Sequence, residues 1–361
     1  MKNKGFTLVE LLAVIAILAL LVIIALPNVL KMFNQAKKDT FLTESKNIYK
    51  EISKKYISET MKGNKINNIS NTNNKLDLES NNLKYNIKLK GDGSIKKFQV
   101  SNGTYCLSGK FNNLSELTTD KITEGECVIR EPKDFSTDSW ETIVEAVEEG
   151  NTSKYNVGDT KEIDLGSYGK HTLRIANKST PSECSTAGFS QTACGFVLEF
   201  ADIITTHKMN DTNTNVGGWP ATTMRTFVNN DIYNSLPTDL RNAIIDTTVV
   251  SGHGSTSGEE NFTSTDKLYL LAPKEIYTNW FRSSDTAKDL TRTLDYYTNQ
   301  GVTDGSYSGT IKKNETSPAI WWLRTAYDNR TYTFLFVNDN GNHNNYYAGS
   351  TDGVAPAFRL G

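Results

Sequence analysis

The chain has 361 residues, a formal net charge of -2 and a sequence pI near 6.2. That length is ample for two or three domains, and the near-neutral balance, with no Lys/Arg cluster, argues against a nucleic-acid binder. Aromatic residues are plentiful (16 Tyr, 15 Phe, 5 Trp) and Asn, Thr, Ser and Gly dominate the polar content, a mix that suits a β-rich extracellular surface better than a helical enzyme.

Residues 1–5 form a short polar leader carrying Lys2 and Lys4, and residues 11–30 contain no charged side chain. About 20 apolar residues in a helix span a bilayer core, and the basic leader stays in the cytoplasm by the positive-inside rule. The apolar stretch is longer than a secretory h-region, and no A-x-A cleavage pattern follows it. Glu10 is at odds with a plain anchor, because a carboxylate in a membrane helix costs about 2.5 kcal/mol or more and so usually has a partner.

The stretch "KGFTLVELLAVIAIL" resembles the type IV prepilin leader and N-terminal helix, found also in pseudopilins. The resemblance implies cleavage after Gly5, N-methylation of the new N-terminal Phe6, and an assembly role for Glu10, five residues into the mature chain. After cleavage the Phe6 amine is a cation in an apolar helix bundle. Glu10 of a neighbouring subunit can pair with it, and two charges that are costly to bury alone become tolerable together. Only one axial stagger aligns them, so the pair sets register. Pro27 removes one backbone bond and is expected to kink or loosen the helix.

The helix is expected to continue beyond the apolar run, because Met32, Phe33, Ala36, Phe41, Ile48, Ile52 and Tyr56 recur at three- and four-residue steps or their multiples. "GNKINNISNTNNK" reads as a loop. "LKYNIKLK" and "SIKKFQVSNGTYCL" alternate about "GDG" and read as a hairpin. The four cysteines fall in two local pairs without zinc-type spacing. Behind an export-type start they favour two disulfides, Cys106–Cys127 and Cys184–Cys194, over buried free thiols. A long helix, a small antiparallel sheet and a disulfide-closed end fit a compact pilin head ending near Arg130.

"EPKDFSTDS" is a linker by composition. "DSWETIVEAVEEGN" reads as a short spacer helix capped by Asp138, with Glu141 placed for a capping box, Gly150 as its stop, and Trp140, Ile143, Val144 and Val147 on one apolar face. From about Tyr155, "DTKEIDLGSYGKHTLRIAN" and "CGFVLEFADII" read as strands, "MRTFVNNDIYNSL" and "TDLRNAIID" as helices, and "DKLYLLAPKEIY" as a buried strand entering a turn. "DTAKDLTRTLDYYTNQG" reads as a helix stopped by Gly301. "AIWWLRTAY", "TYTFLFVNDNGNHNN" and "GVAPAFRLG" read as closing strands, with a tight turn near Asn340 and Gly341.

"GGWPATTMRTFVNNDIYNSL", "TDKLYLLAPKEIY", "WWLRTA" and "GVAPAFRLG" resemble an uncharacterised domain family of bacterial surface proteins related to the sulfatase-modifying (formylglycine-generating) group, whose fold resembles C-type lectins. Those enzymes bind copper through a late pair of cysteines. Here the only cysteines of this half, Cys184 and Cys194, are early, so that activity is not carried over.

His171, His207, His253 and His343 are isolated from one another, which argues against a metal site. "VSGHGSTSG" lacks a nucleophile-elbow context and reads as a flexible loop. "DTNTN" and "NDNGN" are rich in calcium-type oxygens but lack EF-hand spacing, so they too read as loops. Trp321 and Trp322 are assigned to the core in preference to sugar stacking, one facing in and the other facing the opposite layer or solvent. Buried Arg324 and Arg359 would need partners, with Asp266 and Asp328 as candidates.

The chain is therefore expected to be α+β. A leader (1–5), a hydrophobic membrane or filament helix (6–30) and a pilin-like head with a small antiparallel sheet (31–130) precede a linker with a short helix (131–154). An irregular α+β, C-type-lectin-like domain (155–361) completes it. The expected function is a minor or tip-located type IV pilin-like subunit that displays its C-terminal domain for adhesion or ligand capture, because so bulky a domain would crowd a shaft if repeated at every position. The rivals are a pseudopilin of a type II secretion or DNA-uptake system and an exported enzyme on a pilin-type anchor. Expected partners are a prepilin peptidase/N-methyltransferase, other pilin subunits, the inner or cytoplasmic membrane before assembly, and a glycan or other surface ligand. No cofactor, metal or enzymatic activity is expected. The protein should sit in the membrane by a single pass before assembly and then reach the pilus or cell surface.

Overall fold

The computed structural model describes residues 7–71, 73–78, 82–127, 132–280 and 290–361. The chain divides into two units, Met1–Ile129 and Arg130–Gly361.

Helix α1 of the first unit runs from Leu8 to Met61, with Pro27 inside it. Strands β1 (Asn68–Ser70), β2 (Lys84–Leu89), β3 (Ile95–Ser101), β4 (Tyr105–Gly109) and β5 (Ile122–Glu124) follow as an antiparallel sheet in sequence order. The C-terminal part of α1 lays Phe41, Ile48 and Ile52 against Ile87, Phe98, Val100 and Leu107, all buried. The buried stripe starts later than the pattern predicts: Met32, Phe33 and Ala36 are exposed, because the chain's own sheet offers them no contact. The hairpin turn between β2 and β3 is held by the Tyr56 hydroxyl, which donates to Gly91 O at 2.8 Å. Gly93 in that turn has φ +83° and lies so close to the Tyr56 ring that a Cβ would collide with it. Cys106 and Cys127 are bonded, which ties β4 to the segment beyond β5.

The second unit includes the stretch that its composition marks as linker. Phe135 is buried and packs edge-on against Trp140 and Tyr155, at 6.2 and 5.8 Å between centroids. Helix α2 (Trp140–Glu149) buries Ile143 and Ala146 in the same core. Its N-cap is Ser139, whose Oγ accepts from Thr142 N at 3.2 Å, and not Asp138 as the sequence suggests. Asp138 is committed elsewhere: it accepts from the N–H groups of Lys133 and Asp134 and from the Tyr155 hydroxyl. Gly150 ends the helix in the left-handed region as expected.

Among the described residues, two sheets and two ribbons build the rest. Strands β6 (Thr160–Asp164), β7 (Lys170–Asn177), β8 (Phe196–Phe200) and the final strand β18 (Ala357–Leu360) form one antiparallel sheet, ordered β18-β8-β7-β6. The other combines β9 (Thr205–Lys208), β14 (Trp321–Ala326), β15 (Thr333–Val337), β16 (His343–Tyr347) and β17 (Thr351–Val354) in the order β16-β15-β14-β17-β9, with β14 and β17 parallel. The ribbons are β10 (Thr247–Ser251) with β11 (Phe262–Asp266), and β12 (Lys313–Asn314) with β13 (Ser317–Pro318). Thr223–Phe227 is α-helical and passes through a π turn, and Thr238–Ala243 is a second short helix.

Two expected elements differ. "DKLYLLAPKEIY" is not a regular strand: Leu268 to Leu271 are fully buried, but only Tyr269 bridges, to Ala357, before a short helix at Pro273–Ile276. The helix expected to end at Gly301 covers only Asp295–Asn299, since 281–289 lie outside the described residues and 290–294 are not helical. Tertiary bonds hold that segment: Thr291 Oγ1 donates to Glu275, Arg292 donates to Asn177 Oδ1, and Asp295 accepts from the N–H groups of Lys178 and Ser179. Gly341 makes the expected tight turn between β15 and β16 at φ +86°, against the Tyr307 carbonyl.

Candidate functional site

At the start of α1, Thr7 is the N-cap, with extended backbone. Its Oγ1 accepts Glu10 N–H at 3.3 Å, while Glu10 Oε2 accepts both the N–H and the hydroxyl of Thr7 at 2.9 Å. This reciprocal capping box satisfies two donors that a helix start otherwise leaves open, and it places a carboxylate at the positive end of the helix dipole. Glu10 therefore has a partner within its own chain. Thr7 was not among the expected site residues, although the T-x-x-E spacing that marks such a cap is legible in the sequence. Gly5 and Phe6, the expected cut site and methylated residue, lie outside the described residues.

Beyond the cap, Leu8, Leu11, Ile15, Leu18 and Leu26 are each more than half exposed. Among the described residues, α1 is the helix long and apolar enough to cross a membrane, and none of its apolar window is buried by the chain.

The second unit carries its charge inward. Arg324 is fully buried and forms a two-pronged pair with Glu275, Nη1–Oε2 2.6 Å and Nη2–Oε1 2.7 Å. The partner is Glu275 and not Asp266 as proposed, because Asp266 accepts from Arg225 Nε, Trp219 Nε1 and Ser264 Oγ. Thr192 and Thr291 also donate to Glu275. Glu199 gathers Arg174, Lys312 and the Tyr297 hydroxyl, each at 2.8 Å. Burial would raise the Glu199 carboxyl, but the Arg174 and Lys312 cations outweigh it and hold it at about 2. Such paired networks specify a core. Arg359, half-buried beside Gly195, pairs with neither Asp266 nor any other carboxylate among the described residues.

The four histidines stay apart. His171 Nδ1 meets Asp202 at 2.7 Å, His207 stacks on Phe227, His253 bonds Gly254 O, and His343 meets Asp304. Among the described residues no three His, Cys, Asp or Glu side chains converge as metal ligands would. Trp321 and Trp322 are both fully buried, their indole N–H groups donating to Thr310 O and His207 O, so neither offers a face to a sugar. Both faces of β14 are covered, which an alternating pattern with one solvated side does not anticipate. Cys184 and Cys194 are bonded. Among the described residues of this unit, the large aromatic side chains most exposed are instead Tyr346 and Tyr347, on β16.

A family model described as the prokaryotic N-terminal methylation motif matches residues 1–26, and one described as a domain of unknown function (DUF6273) matches residues 196–361, from β8 to the end of β18. Neither match carries a link to lectins or to sulfatase-modifying enzymes. No curated protein and no solved structure matches the chain. The chain thus has a type IV pilin-like N-terminus, whose motif implies processing by a prepilin peptidase and assembly with other pilins, and whose long apolar helix fits a membrane-anchored pilin that ends up at the cell surface.

Proposed function

We propose that the protein is a minor or tip-located type IV pilin-like subunit that displays its C-terminal unit for adhesion or ligand capture. The observation that carries the reading is a helix start with the methylation motif and an uncovered apolar face, on a chain whose larger part is a separate unit with its own core. A repeated shaft subunit is small, and a unit larger than the pilin head would crowd every position. In this reading the C-terminal unit is a binding module and not an enzyme, and its buried ionisable groups serve the core.

The capping box sharpens the assembly role of Glu10. In the free subunit its carboxylate is held by Thr7. In the filament the same carboxylate takes the methylated Phe6 amine of a neighbour. The two roles separate by substitution. Glu10→Gln keeps an acceptor for Thr7 but loses the charge; Thr7→Ala loses the cap but keeps it. We expect Glu10→Gln to be exported, processed and held in the membrane yet scarce in sheared filaments, and Thr7→Ala to assemble near the wild-type level. Mass spectrometry of the mature chain should find an N-methylated Phe6. A chain that keeps Met1, or Glu10→Gln subunits abundant in filaments, would overturn the proposal.

A further inference from the structure

We infer that the outward face of α1 between Thr43 and Met61 is a docking surface for a neighbouring pilin-like subunit of a different kind, one that presents carboxylates, and not for a second copy of this chain. The inference rests on the proposed pilin-like function and names the partner chemistry of its helix.

The near-zero charge of the chain is the sum of two unlike parts. Residues 1–129 hold 19 Lys, no Arg and 12 Asp or Glu, whereas residues 130–361 hold 20 Lys or Arg and 29 Asp or Glu. The first unit is thus a net cation, and α1 shares in it: from Lys31 to Met61 it carries seven Lys against four Asp or Glu. Lys46, Lys50 and Lys54 recur at four-residue steps and so share one side of the helix, turned away from the side on which Phe41, Ile48 and Ile52 are buried. Lys54 reaches Glu51 at 2.6 Å, while Lys46 and Lys50 make no ion pair among the described residues. Like charges at that spacing cost a helix stability, and the fold leaves them unanswered.

Ile57 and Met61 lie on the same face and are 54% and 84% exposed. Among the described residues of the first unit beyond Phe33, they are the large apolar side chains that remain exposed. The face continues back through Thr43 and Ala36 to Met32, all exposed, and so into the apolar run. In the pilin-like reading, the subunits that cover that run in a filament therefore also meet the lysines.

Charge and side-chain type choose among the occupants. A second copy would set the same lysines against these, and of the four carboxylates on its segment, Glu51 and Glu59 already hold Lys54, Lys55 and Lys62. Anionic lipid is out of reach: Lys46 lies 16 residues past Leu30, about 24 Å along the helix and more than twice a Debye length of about 10 Å. A nucleic acid is read with arginine and stacking aromatics, and this face has neither. Carboxylates interleaved with apolar side chains on a neighbouring subunit answer both the lysines and the pair Ile57 and Met61.

The test uses the full chain in its own cells, with the wild type scored first for presence in sheared filaments. Lys46→Arg with Lys50→Arg should enter filaments at the wild-type level. Lys46→Gln with Lys50→Gln should fall about threefold, the scale of losing partly screened ion pairs. Lys46→Glu with Lys50→Glu should fall at least about tenfold, because like charges then face each other. All three double variants should reach the membrane in normal amounts and, in detergent micelles, unfold at the wild-type temperature, which verifies that they fold. A photo-crosslinking benzophenone amino acid in place of Ile57 leaves every lysine intact and identifies the neighbour. It should capture a different chain bearing the N-terminal methylation motif, joined at a peptide rich in Asp or Glu. Capture of a second copy through either unit, of nucleic acid or of lipid would overturn the inference. So would Lys→Glu variants that enter filaments as well as the wild type, and with the wild type itself in filaments that result leaves the pilin reading standing. A wild type that never enters filaments defeats the pilin reading, and the inference with it.

Discussion

The first turns of α1 and the core of the second unit treat polarity in opposite ways. From Leu8 to Leu30, the leucines and isoleucines whose side chains are described face outward with nothing of their own chain against them, while the nearby charge, Glu10, is tied down by a cap. In the second unit four tryptophans are buried, and so are Arg324, Glu275, Glu199 and Lys312, each answered from within. An element that leaves its apolar surface open is finished by other molecules, which in the proposed function are lipid first and sister subunits later. An element that buries even its ions is finished by itself. Stability of the second unit should therefore respond to changes in its own core, and that of the helix start to changes in its neighbours.

The largest effect should come from leaving Arg324 unpaired. Glu275→Ala is expected to destabilise the second unit by about 3–5 kcal/mol, because a buried guanidinium then faces no carboxylate. Thermal unfolding followed by tryptophan fluorescence reads this directly. A loss below 1 kcal/mol by this measure would mean that the unit is not self-completed. Opening the Cys184–Cys194 loop with paired alanines comes next, at about 2–4 kcal/mol in chemical denaturation. That loop carries Thr192, which donates to Glu275, so the two losses should add imperfectly.

Acid should expose the Glu199 network. Its folded carboxyl sits at about 2 against an ordinary value of 4.5. The group's contribution is thus fully present above about 4.5 and is lost as pH falls through about 2. Glu199→Gln should flatten the unfolding profile across that window while lowering stability at neutral pH. Smaller still, Ser139→Ala removes the cap of α2 for about 1 kcal/mol. Its effect should appear in the melting of the second unit, since α2 belongs to that core and is not a free linker. At the bottom of the scale, Leu18→Ala should change the melting of the free chain by less than about 0.5 kcal/mol. The same variant should nonetheless reduce incorporation into filaments, where that face is covered.

Much of the first unit is legible residue by residue, because its signals are local. A charge-free run, a hairpin turn at "GDG" and a stripe from Phe41 to Ile52 each depend on neighbours within a few positions. The second unit is less legible because its bonds join distant segments. Asp138 has the right side chain for a cap and the right place, yet the Tyr155 hydroxyl and two backbone N–H groups claim it, and Ser139 caps instead. Thr291 and Arg292 lie in a stretch of helical pattern, but their bonds to Glu275 and Asn177 hold them out of the helix. At the candidate site Glu10 stands out as a charge beside an apolar run, and Thr7 is recoverable from spacing. In the second unit, by contrast, Tyr332 and Tyr347 are 15 positions apart and meet only because β15 and β16 pair in the register Thr333↔Tyr347.

The sequence by itself determined the processing motif, the apolar span, the outward-facing start and the α+β class, since these follow from residue type and from periodicities of two and about 3.6. Tertiary structure alone decided that Glu275 partners Arg324, that both tryptophans of β14 are buried, and that two tyrosines stack at an open edge. Which of several chemically equivalent partners a buried charge finds, and which aromatics remain in water, depends on how sheets cover one another. That is set by the whole packing and by no short stretch of chain.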